Sequence, residues 1–168
     1  MNAQPVTPAG PLLGLDLGAR RVGVAVSGAL EIAHPLGFLD AKPQARLLER
    51  LAQLARCKGC VRIVVGLPLN MDGSEGPAAR AARALGAEIA RATGLPVDYS
   101  DERLTSFAAE RSLAALNLTR GKRKGRVDAV AAALMLEGYL AERREGGPAT
   151  PPQATEWDND PEPESRDE

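Results

Sequence analysis

The chain has 168 residues, of which 44% are hydrophobic and 3% aromatic, and its net charge is −1. This length suffices for one domain with an aliphatic core, and because no run of about 18 apolar residues occurs, we expect neither a transmembrane helix nor a membrane partner. Residues 1–11 lack the basic start and apolar stretch of a signal peptide, so they are expected to form a disordered arm.

The small net charge conceals an uneven distribution. Residues 145–168 hold eight of the 22 acids and one of the 21 bases, so residues 1–144 carry 14 acids and 20 bases. A net charge of about +6 on this larger part favours an anionic partner. The tail from residue 145 is rich in Pro, Glu and Asp, and this composition predicts disorder.

The first predicted elements are strands. Residues 12–17 and 20–27 are apolar or alternate apolar with small residues, and the turn at Gly18 between them predicts a β-hairpin. Residues 31–39 are a further apolar stretch. Because Pro35 lies within it, we expect an edge strand or a bulged strand there.

Helices then alternate with strands. Leucines at helical spacing predict a helix over 44–56, and the β-branched run at 61–67 predicts a buried strand. The further predicted elements are a polar loop over 68–76, a helix over 78–93 with Ala81, Leu85 and Ile89 inward, a strand over 95–100, a helix from Thr105 or Ser106 to about 116, a basic loop over 117–126, and a helix over 127–144 with Val127, Val130, Ala131 and Leu134 inward. The order predicts an α/β fold with a mixed five-stranded sheet, three antiparallel strands followed by two parallel strands, flanked by helices.

The two cysteines, Cys57 and Cys60, are spaced as CKGC. This spacing permits a thiol–disulfide pair or half of a zinc site. However, no second CxxC occurs, and the pair follows a predicted helix, whereas thiolates are favoured at a helix start. We expect reduced thiols.

Three acids lie at the ends of predicted elements. Asp16 lies on the first strand and Glu102 follows the last strand, so the topology places both near one end of the sheet, where the last helix can bring Asp128. Carboxylates gathered in this way repel one another unless a divalent cation neutralises them, and hard oxygen ligands suit Mg²⁺ or Mn²⁺. Such sites activate water and stabilise the oxyanions of phosphodiester transfer.

Each acid also has a purely structural interpretation. Asp16 is placed to cap the turn at Gly18, Glu102 is placed to pair with Arg103, and Asp128 lies in the first turn of its predicted helix, where the dipole favours negative charge. The basic run that precedes Asp128 is equally consistent with a solvated connector. With so few aromatic residues, base stacking is not an evident mode of recognition.

Four sequence blocks resemble those of the YqgF/RuvX family: GLDLGARRVGVAVS, VVGLPLNMDGSEGP, DERLTS and GRVDAVAAALMLEGYL. They span residues 12–144, and the resemblance implies that this range is one RNase H-like domain. It also implies a cytoplasmic nuclease that matures the 5′ end of 16S ribosomal RNA, with metal-binding and catalytic acids at Asp16, Glu102 and Asp128. Family members also resemble RuvC Holliday-junction resolvases, but the HxxD of the RuvC-like pattern is GRVD here, which weighs against that chemistry.

The leading hypothesis is therefore a monomeric nuclease that cuts RNA with the help of Mg²⁺ or Mn²⁺. Six residues are predicted to bind the substrate: Lys122, Arg123, Lys124 and Arg126 through its phosphates, and Arg20 and Asn70 from the first turn and the loop after the fourth strand. Two alternatives stay open, a dimeric endonuclease that resolves branched DNA and a ribosome-assembly factor that binds RNA without cutting it. The first block also resembles a phosphate loop of the actin/Hsp70/sugar-kinase group, but that group needs two such domains, which residues 12–144 cannot supply.

Overall fold

A computed structural model describes residues 10–28, 30–104 and 120–145, without the side chains of residues 104 and 120–125. The predicted helix from Thr105 or Ser106 to about 116 lies outside these residues, as do most of the predicted arm and nearly all of the predicted acidic tail. Gly10 and Pro11 are described, and the Pro11 carbonyl accepts a hydrogen bond from the backbone N–H of Val61 at 2.9 Å.

The described elements follow the predicted order, and their bounds agree with the predicted ones within two residues except at the start of the last helix. The strands are β1 (Leu12–Leu17), β2 (Arg21–Ser27), β3 (Ala33–Asp40), β4 (Arg62–Leu67) and β5 (Val97–Asp101), and the helices are α1 (Gln44–Lys58), α2 (Pro77–Thr93) and α3 (Arg120–Arg144). A single 3₁₀ turn, Glu102–Leu104, continues directly from β5. None of the helices within the described residues is long and apolar enough to cross a membrane.

The five strands form one sheet in the order β3-β2-β1-β4-β5. β1 pairs antiparallel with β2 and parallel with β4, so it is the central strand. β3 is an edge strand, and its register with β2 shifts between Val24 and Ala25, where Pro35 stands opposite. The predicted mixed sheet and the predicted interruption at Pro35 are therefore confirmed.

Helices cover both faces of this sheet. Leu13, Leu15 and Ile63 pack with α1 and α2 on one face, whereas Leu12 and Val64 belong to a second cluster formed with α3 on the other. Alternate residues of a strand point to opposite faces, so the near-continuous apolar runs of β1 and β4 are what a sheet covered on both sides requires. Asp16 shares the α3 face with Leu12.

The predicted inner stripe of α2 was wrong for one of its three residues. Ala79, Ala82, Gly86 and Ile89 are buried and Leu85 is partly buried against the core, whereas Ala81 is exposed. The reason is the close approach of α2 to β5, since a Cβ on Gly86 would stand 3.0 Å from the Cζ of Tyr99. Small residues face the sheet here because larger ones would not fit.

The predicted basic loop over 117–126 was also wrong from Arg120 onward, because α3 already begins there. Lys and Arg are good helix formers, and they outweigh the two glycines within this run. The predicted inner stripe of α3 was shifted as well. The buried residues are Ala129, Ala132, Ala133, Met135, Leu136, Tyr139 and Leu140, and they follow from how α3 crosses β1, where Leu136 Cβ would lie 3.0 Å from a Cβ on Gly14.

A buried polar cluster fastens the C-terminal half of α3 to the sheet. Asp98 is 5% exposed. It accepts hydrogen bonds from Arg62, at 2.8 Å, and from the hydroxyl of Tyr139, which in turn accepts one from Arg143 at 2.6 Å. Burial and the hydrogen bond to Asp98 raise the pKa of Tyr139 to about 12, so its hydroxyl remains a donor. These contacts hold α3 in place from the end of the sheet opposite Asp16 and Glu102.

Candidate active site

Two carboxyl groups meet where the central strand and the last strand end. Asp16 is the fifth residue of β1, and Glu102 is the first residue after β5. Burial, a hydrogen bond between the two carboxyl groups and the charges of Asp16 and Asp101 raise the pKa of Glu102 to about 8 from its ordinary 4.5. At neutral pH, without a cation, Glu102 therefore keeps its proton and can donate it to Asp16.

Two glycines make room for this arrangement. A Cβ on Gly66 of β4 would overlap the Glu102 carboxyl group and stand 2.9 Å from its Cγ, so the Glu102 side chain lies directly on the sheet. A Cβ on Gly23 of β2 would overlap the carbonyl oxygen of Asp128 and stand 2.5 Å from its carbonyl carbon. Glycine at these two positions lets a carboxyl group and a helix backbone reach the sheet surface.

The third predicted acid, Asp128, lies on α3 beside this pair. Its backbone rests on Gly23, which stands directly opposite Asp16 in the β1–β2 register. Because α3 begins at Arg120, Asp128 is in the third turn of the helix. The interpretation of Asp128 as a first-turn anion favoured by the helix dipole was therefore wrong, since that effect fades beyond the first turn.

The structural interpretations of Asp16 and Glu102 involved the turn at Gly18 and the side chain of Arg103. In the structure, both of these have contacts with other groups. The turn between β1 and β2 is closed by a backbone hydrogen bond from Gly18 N–H to the Arg21 carbonyl at 2.9 Å. The guanidinium of Arg103 binds Asp101 in a bidentate manner, at 2.6–3.0 Å. The turn thus closes through its backbone, and the strongest partner of Arg103 is the acid that precedes Glu102.

Within residues 10–28, 30–104 and 126–145, no three His, Cys, Asp or Glu side chains are gathered closely enough to hold a metal ion. The three-acid ligand set thus stays a prediction. Cys57 and Cys60 are free thiols, one exposed and one buried. Burial raises the pKa of Cys60, which disfavours the thiolate that metal binding needs.

Asn70 lies in an ordered loop after β4. Its side-chain amide donates to the Ser74 hydroxyl at 2.9 Å, and Asp72 accepts from the same hydroxyl. Arg103 also donates to the carbonyls of Asn70 and Met71, at 3.5 and 3.3 Å. Through Arg103 the loop is connected to the turn that carries Glu102, a link that no sequence pattern indicated.

The predicted substrate-binding residues occupy three separate segments. Arg20 is exposed in the turn between β1 and β2, and Arg126 is exposed on α3, half a turn before Asp128. Lys122, Arg123 and Lys124 belong to the first two turns of α3, where the structure describes the backbone alone. The turn and the loop are the predicted places of Arg20 and Asn70, whereas the basic run lies on a helix instead of the predicted loop.

An aromatic residue near the acids was not predicted from the sequence. Phe38 on β3 is 42% exposed, and the guanidinium carbon of Arg21 lies 4.5 Å from its ring centroid. A phenylalanine on an edge strand carries no signal that it will be paired in this way, because the pairing depends on the strand register.

A mixed five-stranded sheet that brings acids from its first and last strands to one end defines an RNase H-like domain. The structure of T. thermophilus RuvC in complex with a Holliday junction substrate has the same fold, with a TM-score of 0.53 and 19% identity over 81% of this chain and 96% of that one. Residues 10–142 match the sequence model of the RuvX family, described as Holliday junction resolvase. The chain belongs to this family, which is also called YqgF.

Relatives from three bacteria carry the name "Putative pre-16S rRNA nuclease". The protein of Acidiphilium cryptum is 47% identical over 130 residues, 77% of this chain and 82% of the relative. The protein of Anaeromyxobacter sp. strain K is 46% identical over 132 residues, which are 78% of this chain and 96% of the relative. The protein of Chloroflexus aurantiacus is 43% identical over 134 residues, which are 79% of this chain and 88% of the relative. The similarity thus covers nearly the whole described domain.

Proposed function

We propose that this chain is a divalent-metal-dependent nuclease that hydrolyses RNA phosphodiester bonds in the 5′-end maturation of pre-16S ribosomal RNA in the cytoplasm. The observation that carries the proposal is the Asp16–Glu102 carboxyl pair, in which two acids from distant parts of the chain meet at one end of the sheet and are joined by a hydrogen bond. The relatives named for pre-16S rRNA support the choice of RNA.

The chemistry of the acid pair suits a small divalent cation. Two carboxyl groups in contact, one of them with a raised pKa, form a site where a cation would replace the proton of Glu102. Asp16 and Glu102 would hold Mg²⁺ or Mn²⁺, with Asp128 as the third ligand from α3. When bound, such an ion supplies Lewis-acid activation and charge stabilisation at the phosphate.

The remaining residues act on the substrate. The cationic side chains of α3 and of the turn at Arg20 would bind phosphates on either side of the scissile bond. Asn70 would donate an amide hydrogen from the loop after β4. Arg103 would keep that loop next to Glu102, since it contacts both the loop carbonyls and Asp101.

The test is a cleavage assay with purified protein. End-labelled single-stranded RNA, a precursor 16S fragment, duplex DNA and a four-way DNA junction are incubated with Mg²⁺, Mn²⁺ or EDTA. We expect metal-dependent RNA cleavage that Asp16→Asn abolishes and that Glu49→Gln, an exposed change on α1 on the other face of the sheet, leaves intact. Cleavage that persists in Asp16→Asn would refute the assignment of the site.

The description of the family favours one other function, the resolution of DNA junctions. A resolvase makes paired cuts and therefore needs two active sites in a dimer. Symmetric junction cutting, together with a dimer at micromolar concentration in size-exclusion chromatography, would support it. A monomer that leaves the junction intact would exclude it.

A further inference from the structure

The starting observation is the Arg21–Phe38 pair at the edge of the sheet. Phe38 keeps 42% of its surface exposed in a chain that has only two phenylalanines. Arg21 covers the ring, with its guanidinium carbon 4.5 Å from the ring centroid. Arg21 stands opposite Asp40 in the β2–β3 register, but among the described residues no carboxylate lies within ion-pair distance of its guanidinium.

Phe38 lies on the same row of the sheet as Asp16, and Arg21 is two residues from that row on β2. Phe38 stands opposite Gly23, and Gly23 stands opposite Asp16. Residues directly opposite one another share a face, so Phe38 and Asp16 belong to the face that α3 covers. Two strand spacings separate them, roughly 10 Å between their Cα atoms.

A guanidinium stacked on an aromatic ring is a surface suited to a nucleobase. The flat guanidinium carries positive charge, and bases stack both on aromatic rings and on arginine planes. The same guanidinium edge can donate hydrogen bonds to a phosphate. A ligand with a planar base joined to a phosphate would use both properties, whereas a purely apolar ligand would use neither the charge nor the donors.

We propose that Arg21 and Phe38 form a platform on which one unpaired base of a single-stranded nucleic acid stacks, beside the phosphate that reaches Asp16 and Glu102. The inference rests on the proposed function, because it assumes a nucleic-acid substrate. The platform adds a recognition mode to the proposed function. A stacked base sets the position of the strand, whereas phosphate contacts alone would let the strand slide. A strand held in a duplex could not present its base to this surface.

The test measures binding without cleavage. Fluorescence anisotropy in EDTA compares a short labelled single-stranded RNA with an abasic oligonucleotide of the same length and charge. Phe38→Leu keeps an apolar side chain and removes the ring, so we expect it to weaken binding of the RNA about five- to twentyfold and to leave binding of the abasic strand unchanged. Arg21→Lys should behave in the same way, with an unchanged salt dependence.

Leu36→Ala serves as the matched control, since Leu36 is also exposed on β3, at 39%. We expect it to bind both oligonucleotides as the wild type does. Equal binding of the RNA by Phe38→Leu and wild type, or an equal reduction for both oligonucleotides, would overturn the platform. A change in oligomeric state on size-exclusion chromatography of Phe38→Leu would also overturn it, because Phe38 would then serve contact between copies.

The outcome is separable from that of the proposed nuclease activity. A wild-type protein that cleaves no RNA but shows the base-dependent Phe38 effect would retain the platform and reject the nuclease. A Phe38→Leu protein that cleaves and binds RNA normally would retain the nuclease and reject the platform.

Discussion

At the scale of single residues, the raised pKa of Glu102 has a consequence for stability. The folded chain keeps a proton on Glu102 up to about pH 8, whereas the unfolded chain releases it near its ordinary 4.5. Between these values the folded state binds more protons, so the free energy of unfolding falls as the pH rises. Because the side chain is partly open to water, we expect a decrease on the order of 1–2 kcal/mol.

Urea unfolding in EDTA at pH 5 and pH 8 measures this effect. Glu102→Gln should lose the decrease, since its amide does not titrate, and the comparison of the two proteins removes the contribution of other groups. Added Mg²⁺ should stabilise the wild type more at pH 8 than at pH 5, because the cation competes with the proton. Parallel pH profiles for the wild type and Glu102→Gln would contradict the assignment of the proton to this residue.

A second residue-scale prediction separates catalysis from binding. Asp128→Asn should reduce RNA cleavage by on the order of a hundredfold or more, while the affinity measured in EDTA changes little, because the acid is proposed to hold the cation rather than the RNA. Glu137→Gln, an exposed change on the same helix, is the matched control. If Asp128→Asn reduced binding and cleavage in the same proportion, Asp128 would not be a ligand for the catalytic ion.

At the scale of elements, the close contact between α3 and β2 depends on the absence of a Cβ atom at Gly23. A Cβ on Gly23 would overlap the carbonyl of Asp128, so Gly23→Ala must push α3 away from the sheet. Overpacking of this kind costs about 1–3 kcal/mol. The displacement also moves Asp128 relative to Asp16, and we expect cleavage to fall at temperatures where the variant is still folded.

Gly138→Ala on the same helix provides the control, because a Cβ there meets nothing within 4 Å. It should raise stability by about 0.5–1 kcal/mol through helix propensity and leave cleavage unchanged. Urea midpoints and cleavage rates of the two variants give the comparison. A Gly23→Ala protein as stable and active as the wild type would show that α3 adapts without moving the site.

The elements also indicate what could be predicted from the sequence. Asp16 and Glu102 were expected together because parallel strands deliver their ends to one edge of the sheet, and that rule is independent of side-chain detail. The start of α3 was not predicted, since charged runs with glycines occur in loops and helices alike. The Arg21–Phe38 pair depends on the register across β2 and β3, which a bulge shifts, and no local pattern encodes it.

At the scale of the whole molecule, the positive charge of residues 1–144 can act on RNA either as a uniform field or through the start of α3. Affinity for RNA should fall with salt in either case, because bound phosphates release counterions. The two cases differ in how the affinity responds when charges are reversed at different places. A uniform field predicts the same decrease wherever the reversal is made, whereas local contacts predict a decrease at α3 alone.

Two variants with equal changes in net charge distinguish these cases. One reverses four residues of α3 to Glu: Lys122, Arg123, Lys124 and Arg126. The other reverses four exposed residues of α1, on the opposite face of the sheet: Arg46, Arg50, Arg56 and Lys58. We expect the first to weaken RNA binding in EDTA and to flatten the slope of log affinity against log salt by about 0.7 for each phosphate that the variant no longer binds. The second should shift the affinity slightly and keep the slope, because long-range attraction is screened within about 10 Å at moderate salt. Equal slopes in both variants would mean that the start of α3 does not bind the substrate and that the basic run serves as a solvated segment of the helix.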